Sequence, residues 1–233
     1  KDTAFTRITG VLPNHNFTAE YIAANKGKTK IEITEVSELA NILVALHPEA
    51  EKDKNMTNSD SDYYKKVRAY FEPYTKHPMM DTVQQYIKDI NYMDVGEDEK
   101  VSIFSNEGYY YYFALKMNAC TYEFNENEEI VNQGYIRQMA SWSPTDPFKD
   151  KELMADFAKK SNFRAFYKEN KPYYDELIAT YKTLNPISQM QTWLDKKFGF
   201  TYGNYTIYFS PLVSGAHSTE GFDTEEFRQT FMF

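Results

Sequence analysis

Cysteine is nearly missing from this chain. The one thiol, Cys120, cannot form an internal disulfide, and no CxxC or other metal spacing surrounds it. A buried, inert thiol is the expectation. The 9 glycines are dispersed, so there is no Gly-rich phosphate loop, and Val213-Ser214-Gly215 lacks the first glycine of a Gly-x-Ser-x-Gly nucleophile elbow. There are only 4 histidines, His15, His47, His77 and His217, and none has a second histidine three or four residues away to make a helical zinc pair. No apolar run approaches the ~18 residues that span a bilayer. The longest candidates, Ile42 to Leu46 and Tyr109 to Leu115, are far shorter. The chain starts at Lys1 without an initiator Met or signal peptide, which leads us to expect a processed or trimmed N-terminus.

Positive charge is the minority: 26 Lys and Arg stand against 34 Asp and Glu, for a net charge of −8. The acids are scattered, and such a surface argues against nucleic acid, which needs a basic stripe. Carboxylate pairs such as Glu128-Glu129 and Glu225-Glu226 are expected by chance, and adjacent helical residues face different directions, so no glycosidase pair is read from them. Aromatic residues are abundant, with 20 Tyr and 17 Phe. Tyrosine joins an apolar ring to a hydroxyl and suits half-buried helix faces as well as clefts for sugars or peptides. Hydrophobic residues make up 42%, enough for a globular core, so disorder is not the reading.

Periodicity then orders the chain. Thr3 to Ile8 is β-prone, and Lys30 to Val36 alternates, with Ile31 and Ile33 on one face. Ser37 is placed as the N-cap of a helix with Glu38 in its first turn, Leu39, Ile42, Leu43 and Leu46 inward, and Pro48 beyond its end. Glu49 to Asp62 is polar and reads as a surface loop. Helices follow from Asp62, carrying Tyr63, Tyr64, Val67, Tyr70, Phe71 and Tyr74 with a kink or early end expected at Pro73, and from His77-Pro78, carrying Met79, Val83, Tyr86, Ile87 and Ile90. Val101 to Phe104 is read as a short strand and Tyr109 to Ala119 as a helix. Asp150 is the expected cap of Lys151 to Ser161. Pro172 is placed in the first turn of a helix burying Tyr173, Leu177, Ile178 and Tyr181. Pro186 opens the last helix, with Met190, Trp193, Leu194 and Phe198 inward and Gly199 at its C-terminal cap. Tyr205 to Phe209 is a strand.

There is no internal repeat and no Gly/Ser-rich or Pro-rich linker. We therefore expect one α+β domain over residues 1–233, predominantly helical with a small mixed sheet. His47 and His77 precede prolines at helix boundaries, where capping is the common role. His217 follows Ser214-Gly215-Ala216 after a strand, a place where scaffolds present sites. Asn16, Asn55 and Asn204 begin Asn-x-Thr triplets, which matter only where the source glycosylates. The end on Phe231-Met232-Phe233 is unusually apolar, and we expect either a longer native chain or a tail docked into a core.

Several stretches, in this order and spacing, resemble an uncharacterised family of exported Bacteroidetes domains. They are Glu38-Leu39-Ala40-Asn41-Ile42-Leu43, Tyr64 to Phe71 with Lys76-His77-Pro78, and Phe163-Arg164-Ala165-Phe166-Tyr167 with Tyr173-Tyr174. Trp193 to Gly199 and Ile207 to Gly215 complete the set. The resemblance covers nearly the whole chain, although each motif alone is loose. It implies a zincin-like fold and a zinc metallopeptidase acting on peptide or protein outside the cytoplasm. In such enzymes a His-Glu-x-x-His helix holds the zinc and supplies the general-base Glu. This sequence stops before any such helix, so zinc is expected only from residues beyond Phe233 and none is assigned within the chain. The resemblance also implies that Tyr205 to Phe209 is the edge strand along which substrate lies, with Ser210, Ser214, Gly215 and His217 rimming the cleft. The alternative is a non-catalytic binding module with an aromatic cleft for peptide or glycan.

Overall fold

In the computed structural model, residues 14–52, 54, 56–87, 91–94, 100–103, 106–201, 203–215 and 218–233 are described. The β-prone run at Thr3 to Ile8 lies outside them. The architecture is α+β, with helices predominating. The helices are α1 (Ala19–Asn25), α2 (Glu35–Ala45), α3 (Asp62–Phe71), α4 (Pro78–Ile87), α5 (Asn106–Ala119), α6 (Lys151–Lys160), α7 (Phe163–Leu184) and α8 (Ile187–Phe198). The strands are β1 (Thr29–Glu32), β2 (Asn91–Asp94), β3 (Lys100–Ile103), β4 (Tyr122–Phe124), β5 (Ile130–Asn132), β6 (Asn204–Tyr208), β7 (Thr219–Asp223) and β8 (Arg228–Met232). β2 and β3 pair antiparallel, as do β4 and β5, and the other four strands form a mixed sheet in the order β1-β6-β8-β7.

In this sheet β6 is parallel to both β1 and β8, while β7 runs antiparallel to β8. β6 is therefore an interior strand. The expectation that Tyr205 to Phe209 forms an edge is wrong, because the C-terminal residues 228–232 pair along its other side and leave β1 and β7 as the edges. The apolar end of the chain is thus built into the sheet, with Phe231 buried. Register fixes two faces. One carries Thr29, Tyr205 and Thr230 in one row and Ile31, Ile207 and Met232 in the next. The other turns Phe231 and Phe222 into a core cluster with Phe17, Met117, Cys120, Ile136 and Phe227.

The larger cluster is helical, gathering Leu39, Ile42 and Leu43 of α2, Val67 and Phe71 of α3, Phe157 of α6 and Phe166 of α7. Between the clusters runs α5. Tyr111, Tyr112, Leu115 and Ala119 face the helical core, while Ala114, Met117 and Cys120 face the sheet. A helix apolar on both sides belongs in the interior, which is why the aromatic run at 109–113 folds as a helix rather than a strand.

Local signals hold in part. The N-cap of α2 is Thr34 rather than Ser37; Ser37 sits three residues inside, its Oγ 2.7 Å from Thr34 Oγ1 and accepting from Thr34 N–H at 3.2 Å. β1 accordingly ends at Glu32, and Val36 is already helical. Asp150 stands at the N-cap of α6 but makes no side-chain cap bond. The polar 49–62 stretch buries Ala50, Met56 and Thr57. Pro172 does not start a helix: it lies inside the 22-residue α7. A proline there removes one backbone hydrogen bond, but Phe163, Phe166, Asn170 and Tyr174 pin the helix to the core on both sides of it. Tyr174 is the buried member of the Tyr173-Tyr174 pair, with Tyr173 38% exposed.

The largest departure is α8. Of its four expected inward residues, Met190, Trp193 and Phe198 are 57%, 61% and 64% exposed, and only Leu194 is half-buried. Gly199 does end the helix at φ 76°. Gly203 immediately precedes β6 at φ 68°, and a Cβ there would fall 1.9 Å from Arg228 O. We predict that Gly203→Ala lowers stability by about 2 kcal/mol, measured as a lower urea midpoint, because the strand end must shift or separate from β8.

Candidate functional site

Beyond β6 the chain turns through Phe209 to Gly215 across the mouth of a cavity of about 240 Å³. The loop is tied down locally. Ser210 Oγ accepts from Leu212 N–H at 3.2 Å, Leu212 O accepts from Asn58 N–H at 2.7 Å, and Ser214 Oγ donates to Lys54 O. Ser210, Ser214 and Gly215 all line this cavity, so three of the expected site residues come together. Ser210 is buried, while Ser214 and Gly215 are exposed. His217 and Ala216 lie outside the described residues.

The remaining walls come from helices that the sequence did not mark as functional. Ser37 and Asn41 enter from α2, Lys116 from α5 with Cys120 in the turn after it, and Tyr181 from α7. Asn41 spends one amide N–H on Ser37 O at 2.9 Å. Lys116 is only 7% exposed, and its ammonium has one hydrogen bond, to Tyr112 OH at 3.2 Å, with the Tyr112 ring centroid 5.0 Å away. No acidic partner reaches it among the described residues. Burial lowers its pKa to about 8, a fall that Cys120 opposes in small part. Burial also pushes the Cys120 thiol far up, in keeping with an inert cysteine.

Glu38, also on α2, is fully buried next to Ser210. Tyr63 OH donates to its Oε1 at 2.8 Å and is itself hydrogen-bonded to Tyr174 OH. Burial raises the Glu38 carboxyl to about 7, and the hydroxyls of Tyr63 and Ser210 hold back part of the rise.

A second cavity of about 360 Å³ continues from the first, sharing Tyr181, Ile207 and Met232 with it. It runs between the outer face of the sheet and α8, lined by Tyr205, Thr230, Ile187, Met190 and Leu194. An open groove of about 690 Å³ flanks it along edge strand β1, between Thr29 and Ile31 on one side and Ile187 and Trp193 on the other. Together they make a cleft that is apolar at the α8 end and polar where it meets Lys116. The exposed Trp193 and Met190 stand at its apolar end.

The histidines described are structural. His47 Nδ1 accepts from Glu49 N–H and His77 Nδ1 from Met79 N–H, each at 3.1 Å, while His77 Nε2 lies 3.0 Å from Asp156. His15 Nε2 meets Asp223 O at 2.9 Å. Among the described residues no three His, Cys, Asp or Glu side chains gather as metal ligands. No helix among them is long and apolar enough to cross a membrane. Compared with protein-family models, with curated proteins and with solved structures, the chain matches none.

Proposed function

We propose that this chain is a non-catalytic binding module whose cleft takes an extended peptide. The observation that carries the reading is the continuity of the apolar cleft, floored by Ile207 and Met232, with the exposed apolar side chains Met190 and Trp193 of α8. Monomeric proteins seldom leave large apolar side chains clustered at the mouth of a cleft unless something binds there. The neighbouring strand β1 is an edge of the sheet, where an extended chain can add backbone hydrogen bonds. The peptidase reading stays tied to a His-Glu-x-x-His helix that these 233 residues do not contain, and no observation at the cleft favours it.

Trp142 and Trp193 are the 2 tryptophans, so a Trp142→Phe background leaves Trp193 as the reporter. We expect a peptide of alternating apolar residues to shift the Trp193 emission saturably. Met190→Glu, at a half-exposed position that the fold does not depend on, should weaken binding about tenfold, or ~1.4 kcal/mol. An emission spectrum indifferent to such peptides, or an affinity unchanged in Met190→Glu, would defeat the reading.

A further inference from the structure

We propose that the Lys116 end of the cleft is a carboxylate site that receives the free C-terminus of the bound peptide. This rests on the peptide-binding reading and adds the direction and the end group of the ligand. Lys116 lines the cavity from α5, is more than nine-tenths buried, and has only a tyrosine hydroxyl as hydrogen-bond partner. An ammonium can donate three hydrogen bonds. Here two have no acceptor among the described residues, and those residues provide no counter-ion. Because burial brings it down to about 8 and no lower, most of this group is still charged at neutral pH. A buried cation in that state is costly, and an anion delivered into the cavity removes the cost.

The site fits a carboxylate rather than a more highly charged anion. One ammonium balances one negative charge, and the cavity of about 240 Å³ offers few further donors. Asn41 has a second amide N–H beyond the one given to Ser37 O, whereas the Ser210 hydroxyl is turned to Glu38. One ammonium with an amide N–H in the same chamber suits the two oxygens of a single carboxylate. The peptide origin of that carboxylate follows from the junction of the two cavities at Tyr181, Ile207 and Met232. A chain laid along the apolar floor has its end delivered to the Lys116 chamber, and capture of a terminal carboxylate is a recurrent mode of peptide recognition.

The test compares one apolar peptide as the free acid and as the C-terminal amide, by Trp193 fluorescence in the Trp142→Phe protein. The acid should bind at least tenfold tighter, and the preference should vanish in Lys116→Met while affinity for the amide is kept. Lys116→Met removes a buried charge and retains the stem volume, so it stays folded. Acid and amide binding equally well overturns the carboxylate site while leaving the peptide cleft standing. If neither peptide binds, the cleft reading falls and this one with it. A fatty carboxylate of matched length binding in place of both peptides would keep the Lys116 site but overturn its peptide occupant.

Discussion

Replacing Glu38 with glutamine is expected to raise the melting temperature by roughly 8 °C at pH 8 and to change it little at pH 4, a cost of about 3 kcal/mol being relieved. The carboxyl is fully buried among the Tyr63, Tyr174 and Ser210 hydroxyls and is pushed up to about 7 from the 4.5 of an exposed glutamate. An acid raised in the folded state is protonated there more readily than in the unfolded chain. Its neutral form is therefore fully compatible with folding below about 4.5, stability falls as pH rises from there through about 7, and above that the penalty is constant. A tenfold change in proton affinity corresponds to about 1.4 kcal/mol, which sets the magnitude. Glutamine keeps an oxygen for the Tyr63 hydroxyl and offers an N–H toward Ser210, so the packing is preserved while the titration is removed. Melting curves of the two proteins from pH 4 to pH 9 should converge at the acid end and separate with the midpoint of the Glu38 titration. A parallel offset at all pH values would mean that the carboxyl does not carry the effect.

Glu38 also marks where sequence reasoning stops. In one dimension it is an acidic residue in the first turn of a helix, and the helix dipole is reason enough for it. Only the approach of α3 and α7 buries it, and that approach depends on Tyr63 and Tyr174, which are more than one hundred residues apart in sequence. The positions of α2, α3, α4 and α6 were legible because each has an apolar face at helical spacing and a cap or proline at a boundary, whereas α5 is apolar on both sides and has no such boundary signal. The loop after β6 was legible too, and Ser210, Ser214 and Gly215 do meet at one cavity. Lys116 carries a signal of its own. The lone charge in the otherwise uncharged stretch from Tyr109 to Ala119 has to be buried once that helix lies between two cores. The sequence could not show that β8 returns beside β6, because strand order is a long-range property settled by the packing of Phe231 against Phe222 and Tyr208. For α8 the apolar spacing was real but its burial was not, since an amphipathic pattern says which face seeks a partner and not whether this chain provides one.

The helical core should be most sensitive at Phe71. This side chain is wholly buried and joins three helices, with its ring centroid 5.0 Å from that of Phe166 on α7, 6.1 Å from Phe157 on α6, and 4.8 Å from its neighbour Tyr70. We predict that Phe71→Ala destabilises by about 4 kcal/mol, combining the lost transfer of the ring with the cavity it leaves, and lowers the melting temperature by roughly 10 °C. Three helices meet at this ring, so no single one can move in to fill the space without losing its contacts to the others. Phe71→Leu should recover most of the loss, leaving about 1.5 kcal/mol, because volume and apolarity are largely kept while the edge-to-face contact with Phe166 is not. A cycle with Phe166→Leu should then show a coupling of about 1 kcal/mol between the two rings. Urea denaturation of the four proteins measures it. Strict additivity would place the stabilisation in burial alone and remove ring geometry from the account. The sheet cluster around Phe231 shares few neighbours with this site, so binding of peptide at the cleft should survive in Phe71→Leu at temperatures where the protein is folded.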